Sequence, residues 1–194
     1  MKNPLFKFFI VSQIILLTGY FLIVPAFAET EIPVEGHFKA TDGTPLPNGW
    51  NLNPTYPGKV QLLEEETPEK EGQVLEITVG EEQNRVGLSY SSRLPSQPGA
   101  YEFRFYAKGD GELLLGISLW SYTQWVRMVG KAIHTYDGDW QEFIIKVNVP
   151  QEAFSVTSKS ETDSPLQIDE IQPLIFALHG TIQIANLHFF KIED

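Results

Sequence analysis

Apolar and polar side chains alternate along much of this chain. From Tyr101 onward, Tyr101, Phe103, Phe105 and Ala107 fall on one side of an extended backbone, and Glu102, Arg104, Tyr106 and Lys108 fall on the other. That two-residue period is the signature of a β-strand with one buried face. It recurs further along, where Leu113, Leu115, Ile117 and Leu119 oppose Leu114, Gly116, Ser118 and Trp120. In 124–129 it sets Val126 and Met128 on a core face against Trp125, Arg127 and Val129. Strands are predicted over 60–63, 73–79, 85–91, 100–108, 112–120, 124–129, 140–149, 173–179 and 181–192. Turn signals separate them at Pro57-Gly58, Gly80, Pro98-Gly99, Gly109-Asp110-Gly111, Asp137-Gly138 and His179-Gly180. No segment sustains a helical period. Short strands punctuated by Gly and Pro predict an all-β fold, a single antiparallel β-sandwich of jelly-roll type.

The first residues break this pattern. Lys2 and Lys7 form a basic start, an apolar run covers 8–24, and Pro25 precedes the small-x-small site Ala26-Phe27-Ala28. This is the three-part logic of a secretory signal peptide. Residues 1–28 are therefore expected to be a cleavable signal peptide, and residues 29–194 one domain large enough for its own core. The leader carries two lysines and no acid, so its removal takes the net charge from −11 to −13. Such a surface repels nucleic acid and anionic lipid, so neither nucleic acid nor, after cleavage, a membrane is an expected partner. The chain has no cysteine. That suits a secreted or periplasmic bacterial protein whose core holds the fold without disulfides. The acidic stretch 64–72 and the polar stretch 155–165 read as solvated loops.

The chemistry of interest lies in the aromatics left on polar faces. Trp120, Trp125, Tyr106, Arg104 and Arg127 are expected on one outward sheet face, forming the floor of a groove. Flat rings there can stack on the C–H faces of a pyranose while arginines bond its hydroxyls, and each good ring contact adds roughly 0.5–1.5 kcal/mol beyond burial. The same rings could instead be covered by a loop or close the ends of the sandwich. His37, His134, His179 and His188 show no zinc-ligand spacing. The "GISLW" segment has Trp120 where a nucleophile elbow needs its second glycine. No pair of carboxylates is singled out for glycoside hydrolysis. No catalytic residue, metal or cofactor is expected.

The segments "DGTPLPNGW", "PGAYEFRFYAKG", "DWQEFIIKV" and "GTIQIANLHFFKI" occur in that order. Together they resemble the secreted carbohydrate-binding modules of the families four, nine and twenty-two type, built on the galactose-binding-like jelly roll. The resemblance covers nearly all of 29–194. It implies a non-catalytic domain whose partner is a polysaccharide or oligosaccharide, with Trp50 and Trp140 in structural positions. Many members of those families hold a structural calcium, whose ligands include an acid after the first-strand Phe and an Asp on the closing strand. Here Lys39 follows Phe38, and Ala185 stands in the closing strand. An ammonium and a methyl cannot replace oxygen ligands of an ion that takes six to eight of them. Two other readings stay open: a structural or protein-interaction jelly roll of the cell envelope, whose partner is an envelope protein, and a small glycosidase or lyase.

Overall fold

The computed structural model describes residues 28–40, 46–156 and 164–193. The expected signal peptide falls outside the described residues apart from Ala28, as do Thr41, 42–45 of the "DGTPLPNGW" segment and 157–163 of the polar stretch.

The described chain forms strands β1 (Glu29–Glu31), β2 (Trp50–Leu52), β3 (Lys59–Leu63), β4 (Val74–Thr78), β5 (Val86–Tyr90) and β6 (Leu94–Pro95). The long β7 (Gly99–Ser121) follows, then β8 (Gln124–Thr135), β9 (Gln141–Val149), β10 (Glu152–Ala153), β11 (Leu166–Gln167) and the long β12 (Glu170–Ile192). Among the described residues there is no helix.

β7 and β12 are 23 residues each and pair antiparallel along nearly their whole lengths, from Glu170↔Trp120 to Lys191↔Tyr101. This ribbon is the spine of both layers. Its first half, the C-terminal part of β7 with the N-terminal part of β12, is flanked by β8 on one side and by β5 then β2 on the other. Its second half is flanked by β9 on one side and by β4 then β3 on the other. One curled antiparallel sheet thus supplies two layers, the arrangement of a β-sandwich.

The alternation predicted for two separate strands runs unbroken through β7. Tyr101, Phe103, Phe105 and Ala107 are buried in one layer, and Leu113, Leu115, Ile117 and Leu119 are buried in the other. Gly109-Asp110-Gly111 and His179-Gly180 were expected to end strands. Instead they bend continuous ones, because Gly109 and Gly111 occupy the inward positions at the crease. A Cβ on Gly109 (φ 104°) would lie 2.4 Å from the Thr181 carbonyl oxygen, and one on Gly180 (φ 77°) would lie 1.9 Å from that of Asp110. With no side chains on the inside of the fold, the two backbones close on each other at the crease.

Stacked aromatic rings anchor the core of the layer that holds β9 and β4. Phe189 stacks on Phe103 at 4.6 Å and on Tyr101 at 5.4 Å, while Leu75, Ile77, Ile182, Ile184 and Ile145 fill the space around them. Trp50 is buried against Phe38 and Tyr90, and its Nε1 donates to the Glu35 carbonyl at 2.7 Å. Trp140 is half-buried beneath the Lys108 ammonium.

Gly180→Ala is expected to cost at least ~3 kcal/mol, combining left-handed backbone strain with displacement of a paired strand. Gly80→Ala, whose Cβ would meet nothing closer than 3.4 Å, is expected to change stability by less than ~0.5 kcal/mol. Denaturant melts of the two variants against the parent check the contrast.

Candidate functional site: an aromatic groove on one outer face

On the β7–β8 hairpin the pairing slips. Leu119 faces Arg127, and the next pair is Trp120 with Trp125, so Val126 is the extra residue of a bulge. A bulge turns two successive side chains to the same side. Val126 enters the core, Arg127 follows it onto the inner side at the exposed sheet edge, and Trp125 is left on the outer face beside Trp120. Trp125 is 38% exposed, and its Nε1 donates to Ser118 Oγ at 3.3 Å. The Arg93 guanidinium lies 3.6 Å above the Trp120 ring and is fixed by Glu170 at 3.3 Å and the Tyr122 carbonyl at 3.2 Å. That cation covers one face of the indole and holds it in place.

The opposite wall comes from the segment after β2. Asn53 N donates to the Gly87 carbonyl, Gly87 N donates to the Tyr56 carbonyl, and Tyr56 N closes a turn on Asn53 O at 3.0 Å. The Tyr56 ring meets Phe176 edge-on at 5.6 Å, and the Arg85 guanidinium lies 4.6 Å from the Tyr56 centroid. Gly87 makes room for Phe176, since a Cβ there would lie 2.3 Å from its ring. Between the walls run Ser89, Ser118, Met128, Gln172 and Leu174, and the Gln172 amide donates to the Tyr90 carbonyl at 2.6 Å. Together they enclose a groove of about 630 Å³. Among the described residues, no aspartate or glutamate lines it.

The single floor expected from the sequence is corrected in three places. Trp120 and Trp125 do share this groove. Arg104 and Tyr106 keep the strand face of Trp120, yet the crease sends them to the outer face of the other layer, in a separate pocket of about 320 Å³. Arg127 lines neither, because the bulge turns it inward, and Met128 takes the outward position instead of a core one. Tyr56, Arg85 and Phe176 went unnoticed in the sequence. Phe176 carried a signal, since it alternates with Ile175 and Ala177, which are buried. Tyr56 carried none, because loop residues have no period, and Arg85 stood at the start of a predicted strand with nothing to mark it as part of a site.

The pocket around Arg104 is a network of satisfied charges. Glu102, 2% exposed, accepts from Arg104 Nε and pairs with Lys146 at 3.2 Å. Arg104 also bonds Glu29 at 2.6 Å and lies 4.5 Å over Phe190. The bond to Glu29, more than the one to Glu102, holds its guanidinium still more firmly protonated. His188 sits between Glu31 at 2.9 Å and Glu69 at 3.2 Å. Burial opposes its charge, but the two carboxylates outweigh that, and its pKa is raised above the ordinary value.

The residues do not fit the calcium position implied by the resemblance. Lys39 is exposed, and Ala185 is fully buried with no donor to offer. Its neighbour Asn186 (φ 49°) instead ties the acidic loop to the closing strand, donating to the Glu71 carbonyl at 3.0 Å and accepting from Glu69 N at 3.3 Å. Among the described residues no group of three or more His, Asp or Glu is placed to hold a metal ion.

No family model matches the sequence, and no curated protein matches it. Solved structures do. The CBM22-1 xylan-binding domain of Paenibacillus barcinonensis Xyn10C superposes with a TM-score of 0.58 at 13% identity, over 87% of this chain and 99% of that one. The chain shares the fold of that domain. Other molecules share it. A Stig cyclase, Fisc from Fischerella sp. TAU, matches with a TM-score of 0.55 at 10% identity, over 86% of this chain and 100% of that one. Tailspike protein 4 of bacteriophage CBA120 matches over 73% of this chain but only 19% of its own, with a TM-score of 0.52 at 14% identity. Similarity at this level establishes the architecture, and function rests on the site.

Arg104→Ala is expected to lower stability by about 2 kcal/mol, because buried Glu102 keeps only the exposed Lys146 as a partner. Chemical denaturation measures the loss. His188 gives a signed pH effect. Its folded pKa lies above the unfolded value, so its contribution is complete below the unfolded pKa of about 6.5 and is lost as pH rises through the folded one. Melting temperatures at about pH 6 and about pH 8.5 should therefore differ more in the parent than in His188→Gln.

Proposed function

We propose that this protein is a non-catalytic carbohydrate-binding domain that seats a polysaccharide or oligosaccharide in the groove of Trp120, Trp125 and Tyr56. One observation carries the reading: indole and phenol rings line an open trough on the outer face of a rigid sheet, with neutral hydrogen-bonding groups between them. A sugar ring has apolar C–H faces and a polar rim. Trp125 offers a partly exposed ring to such a face, and Asn53, Ser89 and Gln172 meet the hydroxyls.

The fold supports the reading, since the CBM22-1 domain that shares it is a xylan-binding one. The composition of the groove opposes hydrolysis there. Glycosidases need two carboxylates flanking the scissile bond, and none lines this trough among the described residues. Export through the leader at 1–28 would place the domain outside the cytoplasm, where structural polysaccharides occur.

Affinity is expected in the micromolar to millimolar range, as a few ring contacts support. Trp125→Ala should weaken oligosaccharide binding about tenfold or more, equivalent to about 1.4 kcal/mol, while the melting temperature shifts little because the ring is partly exposed. Isothermal titration against xylan, mannan, galactan and glucan oligosaccharides, beside thermal melts, tests this. Unchanged affinity in a variant that folds normally would move the site elsewhere.

A further inference from the structure

Arg85 is out of keeping with the charges around it. The chain has 25 acidic residues against 14 lysines and arginines, and two of its four arginines are ion-paired. Arg104 is paired with Glu29 and Glu102, and Arg93 with Glu170. Arg85 donates no hydrogen bond and makes no salt bridge among the described residues. Its Nε is shielded from solvent with no acceptor, while the guanidinium rests on the Tyr56 ring. Stacking on Tyr56 fixes the plane of the fork without neutralising it.

The second unpartnered donor of the groove is Trp120 Nε1, also buried without an acceptor. Two donors thus lie in a trough that, among the described residues, contains no carboxylate of its own. Leaving buried donors unpaired is costly, so each calls for a partner such as water, an ion or a bound ligand. A neutral sugar hydroxyl could meet the indole N–H. A guanidinium fork with no counter-ion matches a planar or tetrahedral anion, bound through two parallel N–H···O bonds.

We propose that the groove selects glycans bearing an anionic substituent, a carboxylate or a sulfate ester, received by the Arg85 fork while neighbouring rings lie against Trp120 and Trp125. This rests on the carbohydrate-binding reading and names the substrate class of the same site. The overall negative charge does not oppose it at contact range. Exposed charges are screened beyond about 8 Å at physiological ionic strength, whereas Arg85 would touch the anion directly, and the acid nearest Trp120, Glu170, is already paired with Arg93.

Titration of the purified protein with tetragalacturonate, a sulfated galactan oligosaccharide and neutral xylotetraose tests the inference. At least one acidic ligand is expected to bind about tenfold tighter than the neutral one, and its affinity should fall as sodium chloride is raised. Arg85→Gln should abolish that margin, costing the acidic ligand about tenfold more affinity than it costs xylotetraose. Arg85→Lys, which keeps the charge and loses the fork, should fall between. The stronger acidic ligand distinguishes carboxylate from sulfate. Should Arg85→Gln fail to fold, the Arg85→Lys affinities and the salt dependence of the parent decide. Neutral and acidic ligands binding equally well, or Arg85→Gln weakening all three alike, would overturn the anionic selectivity and leave the sugar groove standing. Binding of none of the three, together with none of the neutral oligosaccharides above, would overturn both.

Discussion

The close backbone approach at Gly109, Gly111 and Gly180 is the constraint on which the rest of the molecule depends. Two 23-residue strands pair along their lengths and then fold over together. A side chain on the inside of that crease would collide with the opposite backbone at about 2 Å. With glycine there, one uninterrupted alternation in β7 buries Tyr101 to Ala107 in one layer and Leu113 to Leu119 in the other. The remaining strands add to the two halves of this ribbon, so both layers inherit their position from it.

The same crease divides the outward side chains. Even-numbered residues of β7 share one strand face, but after the fold that face becomes two opposite surfaces of the molecule. One surface carries Glu102, Arg104 and Tyr106, embedded in ion pairs with Glu29, Lys146 and the His188 cluster. Its charges are mutually satisfied, which makes it a structural surface. The other carries Ser118 and Trp120 and borders Trp125, Tyr56 and Phe176. Its polar groups include donors with no acceptor, and its rings are partly open to water. Unpaired donors beside open rings set the candidate site apart from the ion-paired pocket around Arg104.

Anchoring without a metal has a local counterpart. Where the resemblance implies calcium tying a loop to the closing strand, Asn186 bridges Glu69 and Glu71 with its own amide. A left-handed asparagine at a bulge can reach two backbone groups at once, and it does so in a buried place where those groups need partners.

Much of this was legible in the chain itself. The two-residue period gave the two buried rows of β7 and the outward direction of Trp120, because alternation is a property of the extended backbone alone. What the period could not reveal was whether a glycine-rich interruption ends a strand or creases it, since both need the same backbone freedom. Arg104 and Trp120 therefore looked like neighbours. Nor could it locate the bulge at Val126 that turns Arg127 away and brings Met128 out, because a bulge depends on pairing with another strand. Tyr56, Arg85 and Phe176 joined the groove only through contacts between residues far apart in sequence. The sequence by itself determined an all-β chain and which side chains lie on each face of its strands. The tertiary structure alone decided which of those faces meet, because that choice is made where two distant strands cross and only glycine fits.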